Sequence, residues 1–219
     1  MAGGLNFMNP MNFADGVDQR IGTFEYVDRD MFITPFFNSD YCDYLVNAFE
    51  KVGFKPGENY NYDCYLHLIR DGEKVCAAFL EHLVKFIEPE IIKVWTTAVK
   101  GRLFSGYSIP FCTKFSPGTK KSLALHNDNS LLTLFVKLND DYVGCNTIYP
   151  RQNWSTASLK KGHMAVLPGA ITHPHYTEEL IEGTKYSLVG RVSILDLRKG
   201  EYDDLGKLPE NHAPHLKSQ

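Results

Sequence analysis

The chain at residue 122 reads Ser122-Leu-Ala-Leu-His126-Asn-Asp128-Asn-Ser130-Leu-Leu-Thr-Leu-Phe-Val136.

 A leucine at position 126 would have carried one apolar strand straight through. The histidine and the aspartate instead interrupt two strand-like runs with metal-ligand chemistry. Side chains two apart on a strand share a face, so His126 and Asp128 can grip one ion together. A third donor from Thr172-His-Pro-His175, either His173 or His175, would complete a two-histidine, one-carboxylate set. Such a set leaves metal positions open and favours non-haem Fe(II). A lone histidine and aspartate at this spacing occurs by chance in many proteins, so the weight falls on their surroundings.

Outward from this stretch, the period is strand-like from residue 103 onward. Candidate strands are Leu103–Phe115, Ser122–Asp128, Leu131–Leu138, Cys145–Tyr149, Ala157–Leu159, His163–Leu167, Ile171–Tyr176 and Thr184–Leu195. Turn signals separate them, among them Ser-Pro-Gly-Thr at 116–119, Lys-Lys-Gly at 160–162, Pro-Gly at 168–169 and Glu-Gly at 182–183. Upstream the period is helical, over Asp40–Val52 behind an Asn38 or Ser39 cap, from Gly72 to Phe86, and over Glu90–Val99. Helices followed by short strands predict an α+β fold, a jelly-roll (double-stranded β-helix) core backed by N-terminal helices. The expected organisation is an N-terminal extension at 1–30, draped over the domain or mobile, one domain at 31–196, and a polar tail at 197–219.

Composition narrows the partners. The 219 residues carry a formal net charge of −3, without a basic block, which speaks against nucleic acid and anionic membrane. No apolar run approaches the ~20 residues of a membrane span. The first ten residues lack the charged and apolar regions of a signal peptide. Five scattered cysteines without CxxC spacing read as reduced thiols, and cytoplasmic localisation is expected.

Further signals surround the site. On Thr184-Lys-Tyr-Ser-Leu-Val-Gly-Arg-Val-Ser193, Lys185, Ser187, Val189, Arg191 and Ser193 share one face. A polar face inside a β-barrel costs free energy unless it lines a ligand pocket. A cation there calls for an anion, with Lys185 the first candidate and Arg191 the second. Tyr107 is a candidate hydrogen-bond partner for a cosubstrate.

Taken with Lys114-Phe-Ser-Pro, Leu159-Lys-Lys-Gly, Thr172-His-Pro-His and Gly183-Thr-Lys-Tyr, the pattern His126-x-Asp128, His175, Lys185 resembles a known family. It is similar to the Fe(II)/2-oxoglutarate-dependent dioxygenases of the prolyl and lysyl hydroxylase branch, most of all to the procollagen lysyl hydroxylase catalytic domain. The likeness runs from Ile33-Thr-Pro through the final strand. It implies that His126, Asp128 and His175 hold iron at the catalytic centre and that Lys185 binds the distal carboxylate of 2-oxoglutarate. The ten-residue spacing to Lys185 favours His175 over His173 as the third ligand. The cofactors implied are Fe(II), 2-oxoglutarate and O2, with ascorbate as reductant. The implied reaction is hydroxylation of an unactivated C–H bond of a lysyl or prolyl residue in a peptide or protein. Two alternatives stand beside it: hydroxylation of a free amino acid or other small molecule, and a jelly-roll metal-binding or sensing domain without turnover. The chain departs from lysyl hydroxylases at Lys185, where they carry arginine, and at Tyr176-Thr177, where they carry Glu-Gly.

Overall fold

One large antiparallel sheet meets helices on one face and a smaller sheet on the other, and this division organises the domain. The structure, a computed structural model, describes residues 11–56, 62–95 and 108–192. In chain order the first half comprises α1 (Phe13–Gly16), β1 (Glu25–Asp28), β2 (Met31–Pro35), α2 (Ser39–Val52), β3 (Lys55–Pro56), β4 (Tyr62–Tyr65), α3 (Gly72–His82) and α4 (Glu88–Val94). A π-helical turn, Leu83–Ile87, joins the last two. The second half is strand-rich: β5 (Phe111–Phe115), β6 (Leu123–His126), β7 (Leu132–Lys137), β8 (Tyr142–Gly144), β9 (Thr147–Tyr149), β10 (Trp154–Ser155), β11 (His163–Pro168), β12 (His175–Thr177), β13 (Leu180–Gly183) and β14 (Lys185–Val192).

The large sheet runs β1-β2-β11-β7-β14-β5-β4-β3, and the small one runs β10-β9-β12-β6. Together they form the expected jelly roll. Strand β7 lies centrally and is buried at all six positions, because each of its faces has a cover. Leu132, Leu134, Val136, Leu188 and Val192 face the helices and meet Phe36, Leu45, Phe49 and Phe79. Phe135, Val189, Ala165 and Leu167 face the small sheet and meet Tyr149. Helix α2 starts where the Asn38 side chain accepts the Tyr41 amide, and it stops at Gly53 (φ 89°), whose amide bonds the Phe49 carbonyl. Tyr41, Leu45 and Phe49, at helical spacing, are fully buried.

Several elements differ from the sequence expectation, each for a local reason. Ala157–Leu159 is no strand: a 3-10 turn at Thr156–Ser158 replaces it, with the Ser155 hydroxyl accepting the Ala157 amide. Strand β12 begins only at His175, since Pro174 has no amide to give a ladder. The Glu-Gly at 182–183 closes a strand, β13, that pairs with β8. Residues 11–28, expected as a draped extension, place Phe13 in the core and add β1 as an edge partner of β2. Tyr107, the 197–219 tail and residues 1–10 of the extension lie outside the described residues.

Truncating Leu134, wholly buried on the central strand, to alanine should destabilise the domain by about 2–5 kcal/mol. Urea unfolding followed by circular dichroism measures this.

Candidate metal centre

Strands β6 and β12 pair so that His126 stands directly opposite His175, with ring centroids 4.3 Å apart. Each ring is held by its own backbone. His126 Nδ1 lies 2.8 Å from the Ala124 carbonyl, and His175 Nδ1 lies 3.0 Å from the His173 carbonyl. A carbonyl only accepts, so both Nδ1 atoms carry the proton and both Nε2 atoms keep a free lone pair. This is how proteins orient metal-binding imidazoles.

Asp128 comes two residues after His126, beyond the end of β6 rather than on it. Strand pleating is therefore not what brings the pair together. Thr133 Oγ1 donates to Asp128 Oδ2 at 2.7 Å, and Arg191 Nη2 donates to Oδ1 at 2.8 Å. Thus fixed, the carboxylate sits 3.9 Å from each imidazole Nε2. One donor atom from each of His126, Asp128 and His175 falls within 4.8 Å of the others. The set of two neutral imidazoles and one carboxylate, with lone pairs converging, fits a divalent non-haem iron.

Packing supports the same geometry. The Tyr149 ring stacks on His175 at 4.8 Å and 28°. Burial holds His175 below the usual imidazole range, against the pull of Asp128, so it stays neutral and able to ligate into mildly acidic solution. The turn before β12 is tight: Gly169 lies so close to Ser130 that a Cβ would collide with the Ser130 hydroxyl and lie 3.0 Å from Thr133 Oγ1. Ser130 and Thr133 share a hydrogen bond of 2.9 Å, which links this turn to Asp128.

His173, the rival ligand, points elsewhere. Its Nε2 is 3.2 Å from Asp30 and its Nδ1 is 2.9 Å from the Thr172 hydroxyl. Its part in the site is the backbone carbonyl that orients His175.

Lys185 is fully buried and reaches from the large sheet to the small one. Its Nζ donates to the Cys145 carbonyl at 2.6 Å and to Thr147 Oγ1 at 3.3 Å, between the rings of Phe115 and Phe135. Thr147 Oγ1 lies in turn 3.3 Å from Thr177 Oγ1, two residues past His175. Among the described residues no carboxylate lies within ion-pair distance of this ammonium, and burial lowers its pKa to about 8. Ser187 follows on the same face, its hydroxyl buried and unpartnered. Arg191, the second candidate cation, is already committed to Asp128 and covers the Phe111 ring at 5.3 Å.

Sequence reading missed Thr133, Thr147 and Tyr149. Thr133 had a signal, as the one hydroxyl in the apolar run Leu131-Leu-Thr-Leu-Phe-Val136. Tyr149 had none, because its contact with His175 depends on which strands pair.

A jelly roll with a two-histidine, one-carboxylate cluster between its sheets has the build of a mononuclear non-haem iron protein. Comparison with known proteins narrows the class. No protein-family model matches the chain. It is 31% identical over 177 residues to human procollagen-lysine,2-oxoglutarate 5-dioxygenase 2, a match covering 73% of this chain and 23% of that protein. The chain thus spans about a quarter of the length of the curated relatives it matches. Two solved structures share the fold. The viral collagen prolyl hydroxylase from Paramecium Bursaria Chlorella virus-1, in complex with 2OG, has a TM-score of 0.52 at 18% identity, covering 72% of this chain and 91% of that one. The Trichoplax adhaerens prolyl hydroxylase, bound to a hypoxia inducible factor peptide fragment, has a TM-score of 0.54 at 14% identity, covering 78% and 86%. The chain belongs to the Fe(II)/2-oxoglutarate-dependent dioxygenases, in their prolyl/lysyl hydroxylase branch.

Two substitutions probe the support beneath Asp128. Thr133→Val should weaken Fe(II) binding by about 10–100-fold while leaving the fold intact. Gly169→Ala should do the same by pushing Ser130 and Thr133 aside. Anaerobic metal titration reads both.

Proposed function

We propose that this domain is an Fe(II)- and 2-oxoglutarate-dependent dioxygenase that hydroxylates an unactivated C–H bond of a lysyl or prolyl residue in a peptide or protein. One observation carries the reading: an uncompensated buried cation, Lys185, shares the intersheet space with the convergent donors of His126, Asp128 and His175. A metal-binding domain without turnover has no use for that cation, which costs several kcal/mol to bury alone. The relatives' names and the peptide-bound neighbour favour a peptide or protein over a free amino acid.

The chemistry supplied there is the reaction of 2-oxoglutarate, O2 and R–H to give succinate, CO2 and R–OH, with ascorbate keeping the metal reduced. The chain's own residues prepare for it. His126, Asp128 and His175 would hold the metal, three protein ligands being a set that leaves positions for substrates. Lys185 seats the distal carboxylate as a point charge, without the bidentate fork of an arginine. Ser187, two residues on, supplies an unused hydroxyl toward the same ligand. Phe115 and Phe135 exclude water around the ammonium and strengthen its pairing. Arg191 donates to Asp128 Oδ1 and fixes the orientation of that carboxylate. We also propose a cytoplasmic location, for which the free thiols of Cys42, Cys64, Cys76, Cys112 and Cys145 are the support.

Asp128→Ala should abolish both iron binding and succinate formation from 2-oxoglutarate, measured with Fe(II) and ascorbate. Lys185→Ala should chiefly raise the 2-oxoglutarate concentration needed; unchanged cosubstrate dependence would move the anchor away from Lys185. Titration adds a pH test. The unliganded ammonium loses its proton near pH 8, and only the charged form attracts a carboxylate. Affinity for 2-oxoglutarate should therefore fall as pH rises above about 8, and Lys185→Arg should remove that fall.

A further inference from the structure

The inner face of the large sheet carries one carboxylate that the site described above does not use. Asp63 on β4 lies opposite Thr113 on β5, which lies opposite Ser187 on β14. Residues directly opposite on antiparallel strands point to the same face, so Asp63 looks into the same space as Lys185, Ser187 and Arg191. Among the described residues its buried Oδ1 has no hydrogen-bond partner. Burial raises its pKa to about 6, against the pull of the Arg191 and Lys120 charges. The Arg191 charge is taken by Asp128, and its buried Nε is unpartnered as well. Asp63 is half-buried, and a carboxylate oxygen taken out of water without a partner costs stability unless something arrives to meet it.

We propose that Asp63 reads the primary substrate by accepting the ammonium group of a lysyl side chain, and so selects lysyl over uncharged side chains. The inference rests on the reading of this domain as a hydroxylase of lysyl or prolyl residues. Position supports it: Asp63 belongs to the same polar row as Ser187, yet sits two strands away from it, toward the β4–β3 edge of the sheet. A keto acid on Lys185 and a metal on His126, Asp128 and His175 would fill the centre of that face, so that a second ligand would approach from its rim. A prolyl residue has no cation for such a group, whereas a lysyl ammonium restores the charged carboxylate that burial disfavours.

The test uses two matched synthetic peptides that differ only in carrying lysine or norleucine, which removes the charge and keeps the aliphatic stem. Binding to the Fe(II)- and 2-oxoglutarate-loaded domain without oxygen is measured by calorimetry, and succinate formation is measured in air. The unaltered domain should prefer the lysyl peptide by about tenfold or more, and Asp63→Asn should bring the two affinities together. Asp63→Ser is a second neutral variant, should the asparagine protein not fold. Equal affinities in the unaltered domain, no binding of either peptide, or a preference that survives in the folded neutral variant would each overturn the assignment. Failure of the wider reading looks different: no succinate forms with any peptide, while the binding ratio still decides the role of Asp63.

Discussion

The pairing of β6 with β12 is the constraint on which the site depends. It sets His126 opposite His175 and lets two backbone carbonyls, those of Ala124 and His173, fix both ring protons. With the Nδ1 atoms committed, the Nε2 lone pairs have one direction left. Without that register the imidazoles would rotate freely, and ordering them would fall to the metal at an entropic cost. Asp128, lacking a strand of its own, is held instead by side chains from β7 and β14. The ligand set therefore joins both sheets of the jelly roll.

This division has an energetic logic. The helix-facing side of the large sheet is apolar and tightly filled, with Phe36, Phe49, Phe79 and Leu134 fully buried or nearly so. That side supplies the hydrophobic stabilisation. The opposite side carries Lys185, Ser187, Thr133, Arg191 and Asp63, and several of their polar atoms lack partners. Such a face is affordable only because the first side is well packed. A ligand that satisfies these groups also stabilises the fold by mass action.

Much of the architecture was legible in the sequence. The Asn38 cap, the helical spacing of Tyr41, Leu45 and Phe49, and the strand-forming runs at residues 132–137 and 185–192 all follow from local composition, spacing and capping chemistry. Elements governed by short-range competition were harder to read. Residues 156–158 turn because a serine hydroxyl caps them, and β1, β10 and β13 are short strands whose existence depends on a partner elsewhere in the chain.

For the site, the amino-acid order alone determined which residue types stand where: His126, Asp128, the two histidines around Pro174, and a lysine ten residues beyond the second. The ten-residue spacing to Lys185 favours His175 over His173, although both flank the same proline and no local rule turns them apart. The fold chose, turning His173 toward Asp30 and His175 toward Asp128. The amino-acid order likewise ranks Lys185 ahead of Arg191 as the anion's partner, although the two share a strand face. Only the tertiary structure commits Arg191 to Asp128 and, among the described residues, leaves Lys185 without a countercharge, because partners distant in sequence become neighbours only when strands pair across the roll.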